Sequence, residues 1–268
     1  MTKPPKRLLI IAGSDSSAGA GLQADLKTAQ SLGVYAQTVV TAVTAQDTRG
    51  VHAVHLVPAE IVRAQIEAAL GDIGADAIKI GMLGSGAIAG AVADALRGND
   101  LPLVLDPVLL SSSGTMLLDE KGIAILKSRL IPRALLVTPN LPEAQALVGI
   151  LPDTGHALRN AAQAFALLGA VNILFKGGHG TGAMVRDVLV CGGKETIFES
   201  PRQDTAHTHG TGCTLAAAIA TGLAQRMTLL DAVHRARHYL QNAILNAPNF
   251  GAGNGPLWHG ADRDTHPV

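Results

Sequence analysis

The sequence contains little cysteine, few aromatic residues and no excess of charge of either sign. Its two cysteines, Cys191 and Cys213, stand far apart in 268 residues, which excludes a disulfide framework and a CxxC zinc site. Unpaired cysteines indicate a reducing, cytoplasmic compartment. Lys and Arg together number 21, as do Asp and Glu, so no general positive field would gather nucleic acid or an anionic membrane. Any phosphate must therefore be bound by a local site.

Long apolar runs are absent as well. The run from Leu8 to Gly13 is shorter than the apolar core of a signal peptide. The uncharged stretches 80–93 and 160–175 contain Gly, Ser, Asn or Gln and fall short of the ~18 apolar residues of a membrane span. We therefore expect neither export nor membrane insertion.

Short apolar runs alternate with amphipathic segments along the chain. The run Leu8–Ala12 ends at a glycine turn, and after it Leu22, Leu26 and Ala29 recur at helical spacing. Strands that alternate with helices predict a mainly parallel sheet covered on both faces, a three-layer α/β/α sandwich. The further strand candidates are Tyr35–Val40, Ala77–Ile80, Leu103–Leu105, Leu135–Val137 and Asn172–Phe175.

The length of the chain predicts one domain over residues 1–268, and the sequence contains no evident linker or repeat. An antiparallel hairpin, 185–190 with 196–199, is expected at one edge of the sheet because Gly192-Gly193 separates two β-branched runs. Two helices, 211–225 and 229–246, follow it. Residues 1–6 and about 248–268 are expected to be peripheral.

A glycine-rich segment, His209-Gly210-Thr211-Gly212-Cys213-Thr214, stands immediately before the alanine-rich run 215–225. Glycines let the backbone expose successive N–H groups, and a helix start adds partial positive charge. The segment could therefore hold a phosphate without a cationic side chain. It fits equally well a simple helix entry with Thr211 as N-cap.

Cys213 falls in the first turn of that helix, where the helix dipole is expected to lower the pKa of a thiol. A thiolate there could act as a general base toward a substrate hydroxyl. The alternative is an inert buried thiol, which is also our interpretation of Cys191.

Polar residues follow several of the predicted strands. Lys176 ends one strand and could reach the anion site as a point charge. Asn140 and Glu143, in Thr138-Pro139-Asn140-Leu141-Pro142-Glu143, offer oxygens suited to hydrated Mg²⁺, although they fit a helix cap equally well. Asp106 is a third strand-end carboxylate. Ligands of such sheets bind beyond the carboxyl ends of the strands, so these residues are expected to share one site.

The first loop, residues 13–21, matches neither GxGxxG nor GxxxxGK[ST]. This disfavours an NAD-dependent oxidoreductase and a Walker-type phosphate site. The loop could instead let a flat polar ring approach the backbone, with Asp25 accepting hydrogen bonds from the ring, or it could simply cap a helix.

Together these segments resemble the hydroxymethylpyrimidine/phosphomethylpyrimidine kinases of thiamine biosynthesis, within the ribokinase-like superfamily. The similarity extends over about residues 7–247. Its more specific marks are Thr208–Thr214 and the segments around Gln46 and Met82. The other matching segments are 12–16, 18–28, 105–108, 138–144 and 176–179.

The resemblance implies a ribokinase-like fold, ATP and Mg²⁺ as cofactors, and a homodimer. It implies phosphorylation of 4-amino-5-hydroxymethyl-2-methylpyrimidine and then of its monophosphate. The implied pyrimidine pocket has Gln46 at the ring edge, with Gly13, Asp25, Met82 and Val108 around the ring.

The resemblance also implies how the phosphoryl group is transferred. Cys213 would accept the hydroxyl proton, while the N–H groups of Gly210, Thr211 and Gly212 hold the γ-phosphoryl oxygens. The residues implied for ATP are Lys176, Asn140, Thr208 and Gly212, and those implied for Mg²⁺ are Glu143 and Asp106.

Three departures from the family pattern affect the expected pocket. Ser17-Ala18 stands where two glycines are frequent, Asp47 replaces a usual asparagine, and Asn254 replaces a common histidine. Because Asp47 neighbours Gln46, the preference among aminopyrimidines and pyridines could differ. A pyridoxal kinase of the same fold and a non-catalytic pyrimidine-binding protein are the alternative functions, and residues 46–57 are the candidate lid.

Overall fold

A single sheet runs through the computed structural model, which describes residues 4–110, 114, 116–178, 180 and 182–261. Its strands are β1 (Arg7–Asp15), β2 (Tyr35–Gln46), β3 (Val51–Leu56), β4 (Ala77–Ile80), β5 (Leu103–Leu105), β6 (Leu136–Val137), β7 (Asn172–Phe175), β8 (Met184–Cys191) and β9 (Lys194–Pro201). The helices are α1 (Gly21–Ser31), α2 (Ala59–Gly71), α3 (Gly86–Ala95), α4 (Glu120–Ile125), α5 (Leu141–Val148), α6 (Gly155–Leu167), α7 (Thr211–Ala224) and α8 (Leu229–Leu245). A π-helical turn, Leu126–Leu130, continues α4.

The strand order is β3-β2-β1-β4-β5-β6-β7-β8-β9. Strands β2, β1, β4, β5, β6 and β7 pair in parallel, whereas β3, β8 and β9 are antiparallel to their neighbours. Strands β1, β4, β5, β6 and β7 are buried almost throughout, which is why they read as continuous apolar runs. Strand β2 alternates buried and partly exposed residues instead. The predicted hairpin is therefore confirmed as β8 and β9.

Two apolar clusters cover the two faces of the sheet. One packs the sheet against α2 to α6, and the other packs it against α1, α7 and α8. The prediction of a three-layer α/β/α sandwich is confirmed. Helix α7 is buried along almost its whole length, and Gly222 lets it approach α8 closely, since a Cβ there would lie 2.8 Å from the Cβ of Ala232.

Two segments differ from the sequence-based expectation. Residues 51–56, part of the candidate lid, form the antiparallel edge strand β3, which pairs with Ala42–Gln46 of β2. Residues 248–261 were expected to be peripheral, yet Leu257 and His259 are buried, and Pro256 forms a bridge with His209. We call residues 248–261 the C-terminal strap. Within the described part of the chain, no helix is long and apolar enough to cross a bilayer.

Candidate functional site

A cleft of about 970 Å³ lies beyond the carboxyl ends of the parallel strands. The first turn of α7 forms its middle, with the loop after β1 on one side and the ends of β5, β6 and β7 on the other. Of the sequence-predicted residues, those that line the cleft are Gly13, Gln46, Met82, Asp106, Val108, Asn140, Glu143, Lys176, Thr208, Gly210, Thr211, Gly212 and Cys213.

The start of α7 is shaped by glycine. Gly210 has a left-handed backbone (φ 86°), and a Cβ there would lie 1.9 Å from the carbonyl oxygen of Gly19. Only glycine fits this close approach. The first N–H groups of a helix lack intrahelical partners, although that of Thr211 donates to the Thr208 carbonyl at 3.3 Å. The turn therefore offers backbone donors and the positive end of a helix dipole to the cleft.

The Cys213 thiol is half-buried at the edge of this turn. Burial, together with the nearby carboxylates of Asp25 and Asp106, raises the pKa of the thiol to about 11, against the opposing charge of Lys79. The expectation that the helix dipole would lower this pKa is wrong, because desolvation and negative neighbours outweigh the dipole. At neutral pH the resting thiol is protonated.

Asp25 does not line the cleft. It is fully buried beneath the cleft floor, where its Oδ2 lies 2.7 Å from the Nζ of Lys79, which is also fully buried. Burial raises the pKa of Asp25 to about 6, so the pair remains ionised at neutral pH. The sequence signal for this pair was a lysine inside the apolar run 77–80, and Lys79 was missing from the predicted site residues.

Lys176 sits between two carboxylates at the end of β7. Its Nζ lies 2.6 Å from Oδ1 of Asp106 and 3.9 Å from Oε2 of Glu143. Although burial opposes the charge, these carboxylates raise the pKa of Lys176, so the ammonium persists. A Cβ on Gly212 would lie 3.3 Å from the same Nζ. The Lys176 ammonium thus lies beside the helix start, so a phosphoryl group bound at the helix start would also contact the ammonium.

Asn140 and Glu143 cap a helix and also face the cleft, which are the two positions that the sequence left open. The Asn140 side chain accepts from the Glu143 N–H, and the Glu143 carboxylate accepts from the Asn140 N–H, both at 2.8 Å, which makes a capping box at the start of α5. Both residues also line the cleft. Burial raises the pKa of Glu143 to about 7, so its charge depends on what binds beside it.

The other end of the cleft is closed by Gly13, Gln46 and Met82. A Cβ on Gly13 would lie 2.9 Å from the Sδ of Met82, so the glycine makes room for that side chain. The Met82 carbonyl accepts from the Thr41 hydroxyl at 2.7 Å. Met82 and Val108 give this end apolar surface, and the Gln46 amide is one of its polar groups, as expected for a pocket that holds a small polar ring.

Several cleft residues were not predicted from the sequence. Asp15 and His209 pair beside Gln46, with 2.8 Å between Oδ2 and Nε2. At the far end, Asp187 accepts from the Gly177 N–H at 2.8 Å and pairs with Arg237. The hairpin β8–β9 and helix α8 bring these side chains to the cleft from distant positions, and the spacing of Arg237 and Gln241 on one helix face was the available signal. Other residues that line this far end include Val185, Gln203, Asp204, Thr205 and Leu240.

Comparisons with known proteins agree with this geometry. The family model described as phosphomethylpyrimidine kinase matches residues 15–258. A hydroxymethylpyrimidine/phosphomethylpyrimidine kinase of Streptomyces coelicolor is 45% identical over 256 residues, which cover 96% of this chain and 95% of the relative.

Two solved structures share the fold over most of both chains. The ADP complex of Bacillus subtilis pyridoxal kinase has a TM-score of 0.89 and 34% identity, over 97% of this chain and 99% of the other. The phosphomethylpyrimidine kinase of Clostridium difficile has a TM-score of 0.79 and 38% identity, over 89% and 99%.

Proposed function

The chain belongs to the phosphomethylpyrimidine kinase family, and we propose that it transfers the γ-phosphoryl group of ATP to 4-amino-5-hydroxymethyl-2-methylpyrimidine and then to the resulting monophosphate. The diphosphate formed in this way would serve thiamine diphosphate biosynthesis. One observation carries the proposal: a single cleft is lined by Gln46, the Cys213 thiol, the α7 helix start and the Lys176 ammonium. Membership of a kinase family argues against a non-catalytic pyrimidine-binding protein.

The pyrimidine is held at the closed end of the cleft. The Gln46 amide contacts the ring edge, while Gly13, Met82 and Val108 surround the ring and exclude water. Asp25, predicted to touch the substrate, acts instead from below, where its pair with Lys79 supplies charge under the acceptor group. The hydroxymethyl group then points toward Cys213.

Phosphoryl transfer depends on positioning and electrostatic stabilisation. The γ-phosphoryl group lies against the amides of Gly210, Thr211 and Gly212, with the Lys176 ammonium beside it. Charge spreads over its equatorial oxygens in the transition state. Preformed donors and a fixed cation stabilise that charge without reorganisation.

Cys213 is the base for the first phosphorylation. Its thiolate accepts the proton that the hydroxymethyl oxygen loses as the bond to phosphorus forms. Because burial raises the pKa of the thiol, the reactive form is a minor but strongly basic species. The second phosphorylation needs no such base, since its acceptor is a phosphate oxygen that is already anionic near neutral pH.

The nucleotide occupies the open end of the cleft. Lys176, Asn140, Thr208 and Gly212 contact its phosphates, and residues from the β8–β9 hairpin and α8 lie further out. Asp106 and Glu143 flank Lys176, and their carboxylate oxygens are ligands that would suit a hydrated Mg²⁺ bound through water and the ATP phosphates. When bound, the ion would neutralise charge on the phosphates.

Pyridoxal phosphorylation is a second candidate activity, because a pyridoxal kinase structure is among the similar folds. Both substrates are flat nitrogen heterocycles with a hydroxymethyl group. A coupled assay of ADP release with hydroxymethylpyrimidine, its monophosphate and pyridoxal tests both activities. We expect the two pyrimidines to have the higher kcat/KM. ADP release with pyridoxal alone would overturn the proposed function.

We also propose a homodimer in the cytoplasm. Strand β3 is an open edge whose apolar side chains Val54 and Leu56 are exposed, and exposed edges of this kind commonly pair with another chain. The two free cysteines, Cys191 and Cys213, are compatible with a reducing compartment.

A further inference from the structure

Gln46, whose amide contacts the ring in the proposed complex, is held by hydrogen bonds to Ser16 and by contacts with His209 and Thr44. The proposed reaction does not use these three residues directly. Its backbone is fixed by Ser16, whose hydroxyl donates to the Gln46 carbonyl at 2.7 Å and accepts from the Gln46 N–H at 2.8 Å. Its side-chain amide lies between two polar groups: the amide nitrogen is placed 3.2 Å from Nε2 of His209, and the amide oxygen is placed 3.3 Å from Oγ1 of Thr44.

The charge state of Asp15 decides which proton His209 carries. The Asp15 carboxylate is 3% exposed and accepts from Ser17, Ala20 and His209, each at about 2.8 Å. Although burial opposes ionisation, these hydrogen bonds lower the pKa of Asp15. The carboxylate is therefore ionised and can only accept hydrogen bonds. Because Oδ2 of Asp15 lies 2.8 Å from Nε2 of His209 and can only accept, Nε2 must carry a hydrogen.

The proton on Nε2 in turn decides how the Gln46 amide is oriented. A protonated Nε2 has no lone pair, so it cannot accept a hydrogen bond from an amide nitrogen that faces it. The oxygen and nitrogen of a glutamine amide are assigned from their hydrogen bonds, and exchanging the two in Gln46 places its oxygen beside Nε2, where it shares with Asp15 the single hydrogen on that nitrogen. On the other side, the Thr44 hydroxyl donates to the Ser14 carbonyl at 3.0 Å, which leaves its lone pairs to accept from the amide nitrogen. Both neighbours therefore require the same orientation.

The His209 ring is itself locked in place. It is 6% exposed, and a Cβ on Gly19 would lie 2.4 Å from its Cδ2. Its backbone N–H donates to the Gly255 carbonyl of the C-terminal strap at 3.1 Å. His209 also directly precedes Gly210, so one residue connects the ring pocket to the helix start.

We propose that the Asp15–His209 pair determines substrate specificity by fixing the Gln46 amide with its oxygen toward His209 and its nitrogen toward Thr44. In this orientation Gln46 offers an acceptor and a donor side by side. A ring nitrogen next to an exocyclic amino group, as in a 4-aminopyrimidine, matches both. A pyridine nitrogen without an adjacent amino group matches only one. Asp15 and His209 are positioning residues, and this inference rests on the proposed function.

A double-mutant cycle tests the proposal. His209→Phe keeps the ring shape against Gly19 and removes the Nε2 hydrogen. We expect kcat/KM for hydroxymethylpyrimidine to fall about 10- to 100-fold, the effect of losing one buried hydrogen-bonding group, mainly through KM. The KM for ATP and the kcat/KM for pyridoxal should change less than about threefold. In a Gln46→Ala background, His209→Phe should cause little further loss, because its effect acts through Gln46.

Two further variants make the result specific. His209→Gln retains a side-chain N–H and should recover most of the pyrimidine kcat/KM. His156→Phe, the same exchange on the exposed face of α6, is the matched control for the substitution itself, and circular dichroism melting confirms folding of each variant.

The outcomes separate the inference from the proposed function. If the wild-type protein releases no ADP with either pyrimidine, the proposed function fails. If the wild type is active but the losses from His209→Phe and Gln46→Ala simply add, or the KM for ATP rises equally, His209 has only a structural role and the inference is overturned.

Discussion

At the scale of single residues, the site places groups of opposite charge in close, buried contact. Lys79 pairs with Asp25 below the floor, and Lys176 lies between Asp106 and Glu143 at the wall. Ion pairs that are buried in this way contribute little net stability. In the proposed mechanism, they set the charge around the thiol and the transferred phosphoryl group.

The role of Cys213 is tested by separating the two phosphorylations. We expect Cys213→Ala to lower kcat for the alcohol by about 10²- to 10⁴-fold, the usual contribution of a general base, and to affect the monophosphate much less. ADP release with each acceptor gives both values, and Cys191→Ala is the control because Cys191 is exposed on the edge hairpin. Equal losses in the two steps would contradict the base role.

The raised pKa of Cys213 predicts a pH dependence of the first step. With a thiol pKa of about 11, the thiolate fraction grows about tenfold for each pH unit below that value. The kcat for the alcohol should therefore rise from pH 6 to pH 9, whereas kcat for the monophosphate should vary less over that range. Parallel profiles for the two acceptors would show that another group limits the first step.

Lys176→Met should reduce both activity and stability. Without the ammonium, two buried carboxylates are left facing each other, and protonation of Glu143, whose pKa is raised to about 7, relieves the repulsion. The loss of unfolding free energy should thus be greater at pH 8 than at pH 6, and kcat should fall for both acceptors. Urea unfolding at the two pH values measures the first effect. Lys194→Met, at an exposed hairpin position, should change neither, and a pH-independent loss in Lys176→Met would contradict the account.

At the scale of elements, the start of α7 is the part of the fold on which the proposed chemistry depends most. Its helix is held by apolar burial against α8 and the sheet, so the energy that orients the amides comes from packing rather than from the glycine-rich turn. The turn is held from the other side by the loop after β1, through the contact between Gly210 and Gly19.

Gly210→Ala tests this dependence. A methyl group at a left-handed position and 1.9 Å from a carbonyl oxygen must displace the backbone, so we expect a loss of about 1–3 kcal/mol of unfolding free energy together with a large fall in kcat. Gly71→Ala, at the end of α2 with open space around it, is the matched control and should be close to neutral. Denaturant unfolding and steady-state kinetics check both, and wild-type kinetics in Gly210→Ala would refute the proposed amide positions.

At the scale of the whole molecule, the two edges of the sheet, β3 and β8–β9, differ in what they contact. The β8–β9 edge and α8 supply side chains to the open end of the cleft, while the β3 edge presents exposed Val54 and Leu56. The C-terminal strap crosses the molecule between them, with its Asn254 N–H donating to the Thr48 carbonyl at 2.8 Å.

The proposed dimer is tested at β3. Introducing charge with Val54→Lys and Leu56→Lys should convert the dimer to a monomer, because lysine on an edge strand opposes pairing with another chain. Multi-angle light scattering measures the mass, and Ile197→Lys, at a similarly exposed position on the opposite edge strand β9, should leave it unchanged. A wild-type protein with the mass of a monomer would contradict the proposed dimer.

The sequence by itself determined the layered fold, the helix start at Gly210 and most of the cleft lining. Those features depend on local patterns: strands buried on both faces read as apolar runs, and a helix start with glycines is visible in a few consecutive residues. Because the strands are parallel, the polar residues that end them had to meet at one edge of the sheet.

Only the tertiary structure decided the environment of each group. The burial of Asp25 with Lys79, the raised pKa of Cys213 and the contact of Asp15 with His209, 194 positions later, depend on which distant side chains pack together. The same holds for the C-terminal strap, whose composition resembles a surface tail. Burial and charge at a point in space are sums over neighbours from the whole chain, and local sequence patterns do not contain them.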